Sequence, residues 1–145
     1  MLNWHVQADA IAKAQPRDIW RIWTDVSNWP TWDQELEWSF ISGPFKVGAK
    51  GKLKPKGWLA SSFRIISVEN EKSHSDITIM PLTEIVFKHW LEPYGDSKTR
   101  IYHRVEVNGF LAPLLWLTMR RTLKKGMPLA VQKLAVLAEA KKRML

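Results

Sequence analysis

The sequence predicts an α+β domain: a curled antiparallel sheet of about seven strands wrapped around one long C-terminal helix, with two short helices between strands one and two. Three observations lead there. From Glu35 to Asn108 apolar residues alternate with a period of two, in short runs separated by turn residues. No gap between those runs has room for a crossover helix, so neighbouring strands run antiparallel. From Pro113 onward the period becomes helical and holds almost to Leu145. Such a helix can bury its apolar face only against the concave side of the sheet. The 145 residues suit a single domain, 1–145, with enough chain to bury a core without staples.

The elements follow in order. Residues 4–13 (WHVQADAIAK) suit a first strand. Pro16 then stands where a helix begins, with Asp18 in its first turn and Ile19, Ile22, Trp23 and Val26 at helical spacing. SNWPTWD reads as a second short helix, entered through Ser27 or Asn28 with Pro30 in its first turn. Trp29 and Trp32 read as anchors that bracket this turn and pack it against the sheet, in preference to a ligand cage. Asp25 and Asp33 read as caps or turn formers.

Strands are expected at 36–42, 50–56, 60–69, 74–80, 84–92 and 99–108, with SGP, KGW, ENEKS and PYGDS among the turns. Lys50, Lys52, Lys54 and Lys56 share the outward face of the 50–56 strand, a pattern that discourages edge-to-edge pairing. Gly109 ends the last strand and Pro113 opens the helix. Leu114, Leu115, Met119, Leu123, Met127, Ala130, Leu134 and Leu137 form its apolar stripe, and Gly126 with Pro128 predicts a kink near 124–127.

Composition excludes several functions. With no cysteine, disulfide frameworks, thiolate nucleophiles and Cys-ligated metals are ruled out. The N-terminal MLNWHVQADAIAKAQP lacks the apolar core of a signal peptide. The longest apolar stretch, Phe110–Met119, is far short of the roughly 20 residues that span a bilayer. No transmembrane segment is expected, and a reducing cytoplasm fits. Most of the net charge of +8 lies beyond Pro113, where eight basic residues face the single acid Glu139. This reads as a solvated helix face, with no nucleic-acid partner expected.

The polar candidates sit on the last two strands. Lys88, Arg100, Arg104 and Glu106 belong outside, which turns Ile85, Phe87, His89 and Leu91 inward on one strand and Ile101, His103, Val105 and Val107 inward on the next. If PYGDSK is the hairpin loop, residues whose numbers sum to 192 face one another, and His89 stands opposite His103. Desolvation and mutual repulsion push such a pair toward neutral forms. The same alternation turns Trp38, Phe40, Leu53, Phe63, Ile65, Ile77 and Ile79 inward, with Leu115 and Met119 from the helix. No metal site or cofactor is expected: two ligands are too few, and His5 and His74 fall at distant points of the sheet.

The element order, with AQPRDIWRIWTDVSNWPTWD, GPFKVGAKG at 43–51, FKH at 87–89 and TRIYHRVEVNG at 99–109, resembles the START-like, polyketide cyclase/dehydrase superfamily (SRPBCC). That superfamily has the helix-grip fold shared with the birch-pollen allergen. The resemblance implies an apolar cavity between sheet and long helix, used for carrying lipids, sensing hormones or transforming polyketides, without common catalytic residues. The expected function is therefore binding of a small hydrophobic or aromatic molecule, as carrier or sensor. His89, His103, Phe87, Leu91, Ile101, Trp38, Phe40, Phe63, Ile77, Leu115 and Met119 are the candidate contacts. A cyclase or dehydratase using the same cavity would need acids or bases beyond the two histidines, and the inward residues supply none. A third possibility is an interaction protein using the basic helix.

Overall fold

The computed structural model describes residues 2–143 and contains one antiparallel sheet of seven strands, in the order β1-β7-β6-β5-β4-β3-β2. The strands are β1 (Asn3–Ala12), β2 (Leu36–Ile41), β3 (Lys50–Pro55), β4 (Ser61–Glu69), β5 (Ser73–Met80), β6 (Thr83–Pro93) and β7 (Thr99–Gly109). Helix α1 (Pro16–Trp23) and a 3-10 segment (Val26–Thr31) join β1 to β2; α2 (Ala112–Thr118) and α3 (Arg120–Arg143) close the chain. This is the helix-grip arrangement. The expected end of the helix at Leu145 lies outside the described residues.

Local chemistry explains the early helices. Pro16 occupies the first turn of α1, where a missing N–H costs nothing, and the Gln15 backbone N–H donates to Asp18 at 2.8 Å. The 3-10 segment is held from inside: the Trp29 indole N–H donates to the Trp23 carbonyl at 2.8 Å, and its ring stacks on Phe63 with centroids 5.6 Å apart. Trp32 is also buried, but its indole N–H has no partner among the described residues. Ser39 ties β2 to the same segment by donating to the Val26 carbonyl at 2.6 Å.

Helix α3 lies against β1 and α1, presenting the small or aliphatic residues Val131, Leu134, Ala135 and Ala138. It covers only part of the concave face, and the cavity occupies the remainder. The break in the C-terminal helix falls at Met119, between α2 and α3, and not at 124–127. Pro128 sits inside α3 without interrupting it. The carbonyl it leaves without a helical donor belongs to Lys124, an exposed residue where water can serve.

Two sheet expectations need correction. The lysine-bearing strand β3 is interior to the sheet, paired with β2 and β4, so its lysines protect no edge; the edges are β1 and β2. Trp38 and Phe40 point outward, 39% and 43% exposed and stacked on each other, because β2 bulges between Leu36 and Trp38. The extra residue, Glu37, reverses the alternation: Leu36 faces in, and after the bulge Ser39 does.

Truncating either buried indole is expected to destabilise the fold by about 3–5 kcal/mol, measured by urea denaturation of Trp29→Ala and Trp32→Ala. The phenylalanine variants should separate the two positions. Trp29→Phe strands the buried Trp23 carbonyl and costs about 1–3 kcal/mol more than Trp32→Phe, whose lost N–H bonds nothing. Equal costs would contradict the anchoring bond.

Candidate functional site

Between the sheet and the C-terminal helices lies a cavity of about 610 Å3. Its middle is apolar, built from Trp29, Trp32, Ile85, Phe87, Val105, Leu115, Met119, Met127 and Ala130. Leu59 and Ile79, 88% and 70% exposed, mark its open rim; Trp23 and His74, fully buried, mark the opposite end.

The inner end is positioned by the outer face of the same strands. Glu106 pairs with Lys88 at 2.9 Å and with Arg104 at 2.6 Å, Arg100 pairs with Asp9 at 2.9 Å, and Trp90 stacks on Tyr102. These groups occupy the solvent side of β6 and β7, so the intervening residues turn inward. The β6–β7 register is the one whose numbers sum to 192, with His89 opposite His103. Their rings meet edge to face at 4.8 Å.

The inward face of β5 differs from expectation. Ile77 points away from the cavity and Ile79 meets it only at the exposed rim, while His74, Asp76 and Thr78 are buried and line it. The reason is the β5–β6 register, in which His74 faces His89 and Asp76 faces Phe87. Because β6 has Phe87 and His89 inward, their partners share that face. His74 is thus far from a distant point of the sheet: its ring stacks on His89 at 4.1 Å and 12°. The inward face also carries the carboxyl group that the sequence had not revealed.

Trp23 caps this cluster from α1, donating its indole N–H to His103 Nε2 at 3.1 Å, with its ring 4.9 Å from His74 and 5.7 Å from His89. The proton of His103 therefore belongs on Nδ1. The His74 carbonyl lies 3.3 Å from His89 Nδ1 and can only accept, which leaves the His89 proton on Nδ1 and its Nε2 lone pair free. Both ring nitrogens of His74 lack a partner among the described residues.

Burial dominates the electrostatics. Desolvation, then the neighbouring imidazoles, hold His74 and His103 well below the ordinary histidine range. Desolvation brings His89 down to about 4, opposed by its bond to the His74 carbonyl. Burial pushes Asp76 up to about 8, and no donor or cation among the described residues holds it down.

Of the other sequence candidates, Phe87, Leu115 and Met119 line the cavity, and Leu53 does as well. Phe63, Leu91, Ile101 and Ile65 face inward but belong to the packed core. Phe63 lies over Gly51, where a Cβ would stand 2.5 Å from its ring, so this glycine makes room for the aromatic. Near the rim, Asp33 accepts the Glu35 backbone N–H at 3.1 Å and is pushed up to about 6 by desolvation, which outweighs that bond; Glu35 pushes the same way and Lys56 against.

A family model described as polyketide cyclase / dehydrase and lipid transport matches residues 3–139. Among solved structures, TTHA0849 from Thermus thermophilus is 13% identical, with a TM-score of 0.75 over 95% of this chain and 99% of that one. Norcoclaurine synthase from Thalictrum flavum, in complex with dopamine and hydroxybenzaldehyde, is 15% identical, with a TM-score of 0.73 over 99% of this chain and 88% of that one. Ara h 8.0201 is 12% identical, with a TM-score of 0.72 over 95% of this chain and 99% of that one. At these identities the likeness is one of fold. No curated protein matches in sequence. No described helix is long and apolar enough to cross a membrane.

The raised pKa of Asp33 gives a pH-dependent stability with a definite sign. A carboxyl that binds its proton more tightly in the folded state contributes fully below its unfolded value of about 4, and that contribution is lost as pH rises through about 6. Asp33→Asn keeps an oxygen for the Glu35 N–H and cannot ionise. Its melting temperature relative to the parent should therefore rise between pH 4 and pH 7.5; a flat or falling difference in a thermal-shift series would refute the assignment.

Proposed function

Since the chain belongs to the polyketide cyclase/dehydrase and lipid transport family, we propose that its cavity receives a small apolar or aromatic molecule and presents one polar group of it to the imidazole and carboxyl cluster. The carrying observation is the distribution of polarity. A cavity of about 610 Å3 has apolar walls through its middle and gathers the buried His74, Asp76 and His103 and the half-buried His89 at the closed end. Pockets of this size bury most of a small ligand, while a few converging polar groups orient it. The fold neighbour norcoclaurine synthase has been crystallised with two small aromatic molecules, dopamine and hydroxybenzaldehyde, which agrees with an aromatic guest.

Phe87, Leu115 and Met119 would make the apolar contacts and His89 the adjustable polar one. His103 is less free, because its Nε2 already accepts from Trp23. The role is that of a carrier or sensor. One observation favours a second reading as a cyclase or dehydratase: Asp76 adds a carboxyl group beside the imidazoles, an acid–base set such reactions use. Mass analysis of a cavity ligand before and after incubation separates the two, since a carrier returns its cargo unchanged.

Binding is tested with a naphthalene-based fluorescent probe such as 1-anilinonaphthalene-8-sulfonate. Met119→Trp and Ala130→Phe fill the cavity without touching the polar cluster. Each should weaken the probe on the order of tenfold or more, a loss of about 1.4 kcal/mol or greater. Native mass spectrometry of the parent protein from its own host should show a bound organic mass that both variants lose. Unchanged probe affinity in folded variants would overturn the cavity as the binding site.

A further inference from the structure

We infer that His74, Asp76 and His89 form a binding site for one divalent first-row transition cation at the closed end of the cavity. Their ligand atoms already lie within 4.8 Å of one another. Two come from one strand at i and i+2, which places both on one face, and the third stands directly across the β5–β6 ladder. The set is supplied by backbone register, independent of any flexible loop.

Each member has an unmet requirement that one cation answers. His74 is completely buried, with both ring nitrogens unpartnered, a costly state for polar atoms removed from water. His89 has its Nδ1 proton directed at the His74 carbonyl, which orients the ring and leaves Nε2 as a free donor atom; a histidine ligand is commonly fixed in this manner. Asp76 is a buried carboxyl with no donor or cation beside it among the described residues. A cation at about 2.0–2.2 Å from two nitrogens and one oxygen would satisfy all three together.

The chemistry of the set selects the ion. Two imidazoles and one carboxylate suit zinc, cobalt or iron(II), whereas magnesium and calcium prefer oxygen ligands throughout. Tetrahedral ligation brings donor atoms to roughly 3.3–3.5 Å apart and needs the cation in the plane of each imidazole, so the stacked rings must tilt out of parallel as their nitrogens converge. Three protein ligands leave a coordination position open, and the space beside it is the cavity. His103 supports without ligating: its Nε2 is engaged by Trp23, and its ring packs edge to face on His89. This site does not depend on which organic molecule, if any, the cavity carries.

The test is titration of the full, metal-stripped chain with Co2+, read by its visible absorption bands, with Zn2+ as competitor. One equivalent should bind, with bands of a site containing nitrogen and oxygen ligands, and Zn2+ should displace it. Asp76→Asn, which keeps the side-chain shape, and His89→Gln should each weaken binding by more than about 100-fold, beyond the 10–100-fold typical of losing a supporting hydrogen bond. His5→Gln, on the exposed face of β1, should leave it unchanged. Ala130→Phe should keep Co2+ while losing the naphthalene probe, which separates failure of this site from failure of the cavity. Absence of a stoichiometric Co2+ complex in the parent would overturn the inference. So would affinity that survives in Asp76→Asn and His89→Gln, with both variants shown to be folded by circular dichroism.

Discussion

The hydrogen bond from the Trp23 indole to His103 Nε2, 3.1 Å long and wholly buried, joins the first helix to the centre of the sheet. Most of the site depends on it. It closes the inner end of the cavity with a fully buried ring, fixes the His103 tautomer, and brings His74 and His89 into contact with the same indole. Trp23 is itself held from behind, since its carbonyl accepts the indole N–H of Trp29. The tryptophan-rich stretch therefore works as a chain of anchors, from Phe63 through Trp29 and Trp23 to the histidines. Trp29 and Trp32 also line the cavity, so anchoring and wall-building are one role at these positions.

The cavity exists because the long helix leaves part of the curled sheet uncovered. Alanines at 135 and 138 bring α3 close to β1 and α1, while β5 and β6 are met at the closed end by the α1 rings of Trp20 and Trp23. At its rim end, Gly126 passes Glu35 closely enough that an added Cβ would stand 3.0 Å from the Glu35 side chain. Close packing along one side and open space along the other follow from the same distribution of small residues.

How legible this was in the sequence depended on what marked the outer face of each strand. On β6 and β7, Lys88, Arg100, Arg104 and Glu106 declared the solvent side, and the inward residues and their register could be read directly. On β2 the alternation was real but interrupted, and a bulge at Glu37 leaves no distinctive residue in the sequence. On β5 the usual rule inverted, with isoleucines outside and His74, Asp76 and Thr78 inside. Hydrophobicity could not reveal that, yet register could have done so. The short turn Met80–Pro81–Leu82–Thr83 pairs residues whose numbers sum to 163, which places His74 opposite His89. The same hairpin reasoning that worked one turn later was available here, and Leu82 in the left-handed region at φ 53° marks that turn.

That inversion is the most informative departure from ordinary folding physics in the molecule. The contacts of the buried His74 ring, stacked on His89 and edge-on to Trp20, Trp23 and Phe45, are ones an apolar aromatic also makes, without two nitrogens left unpartnered among the described residues. A buried carboxyl at Asp76 likewise costs stability that an apolar residue would not. Folding alone gives no reason for either group, and both stand at the closed end of a cavity whose middle is walled by apolar side chains. Local rules fail at these neighbouring positions and hold around them, the pattern expected where stability is given up for function, and the proposed site rests on that pattern.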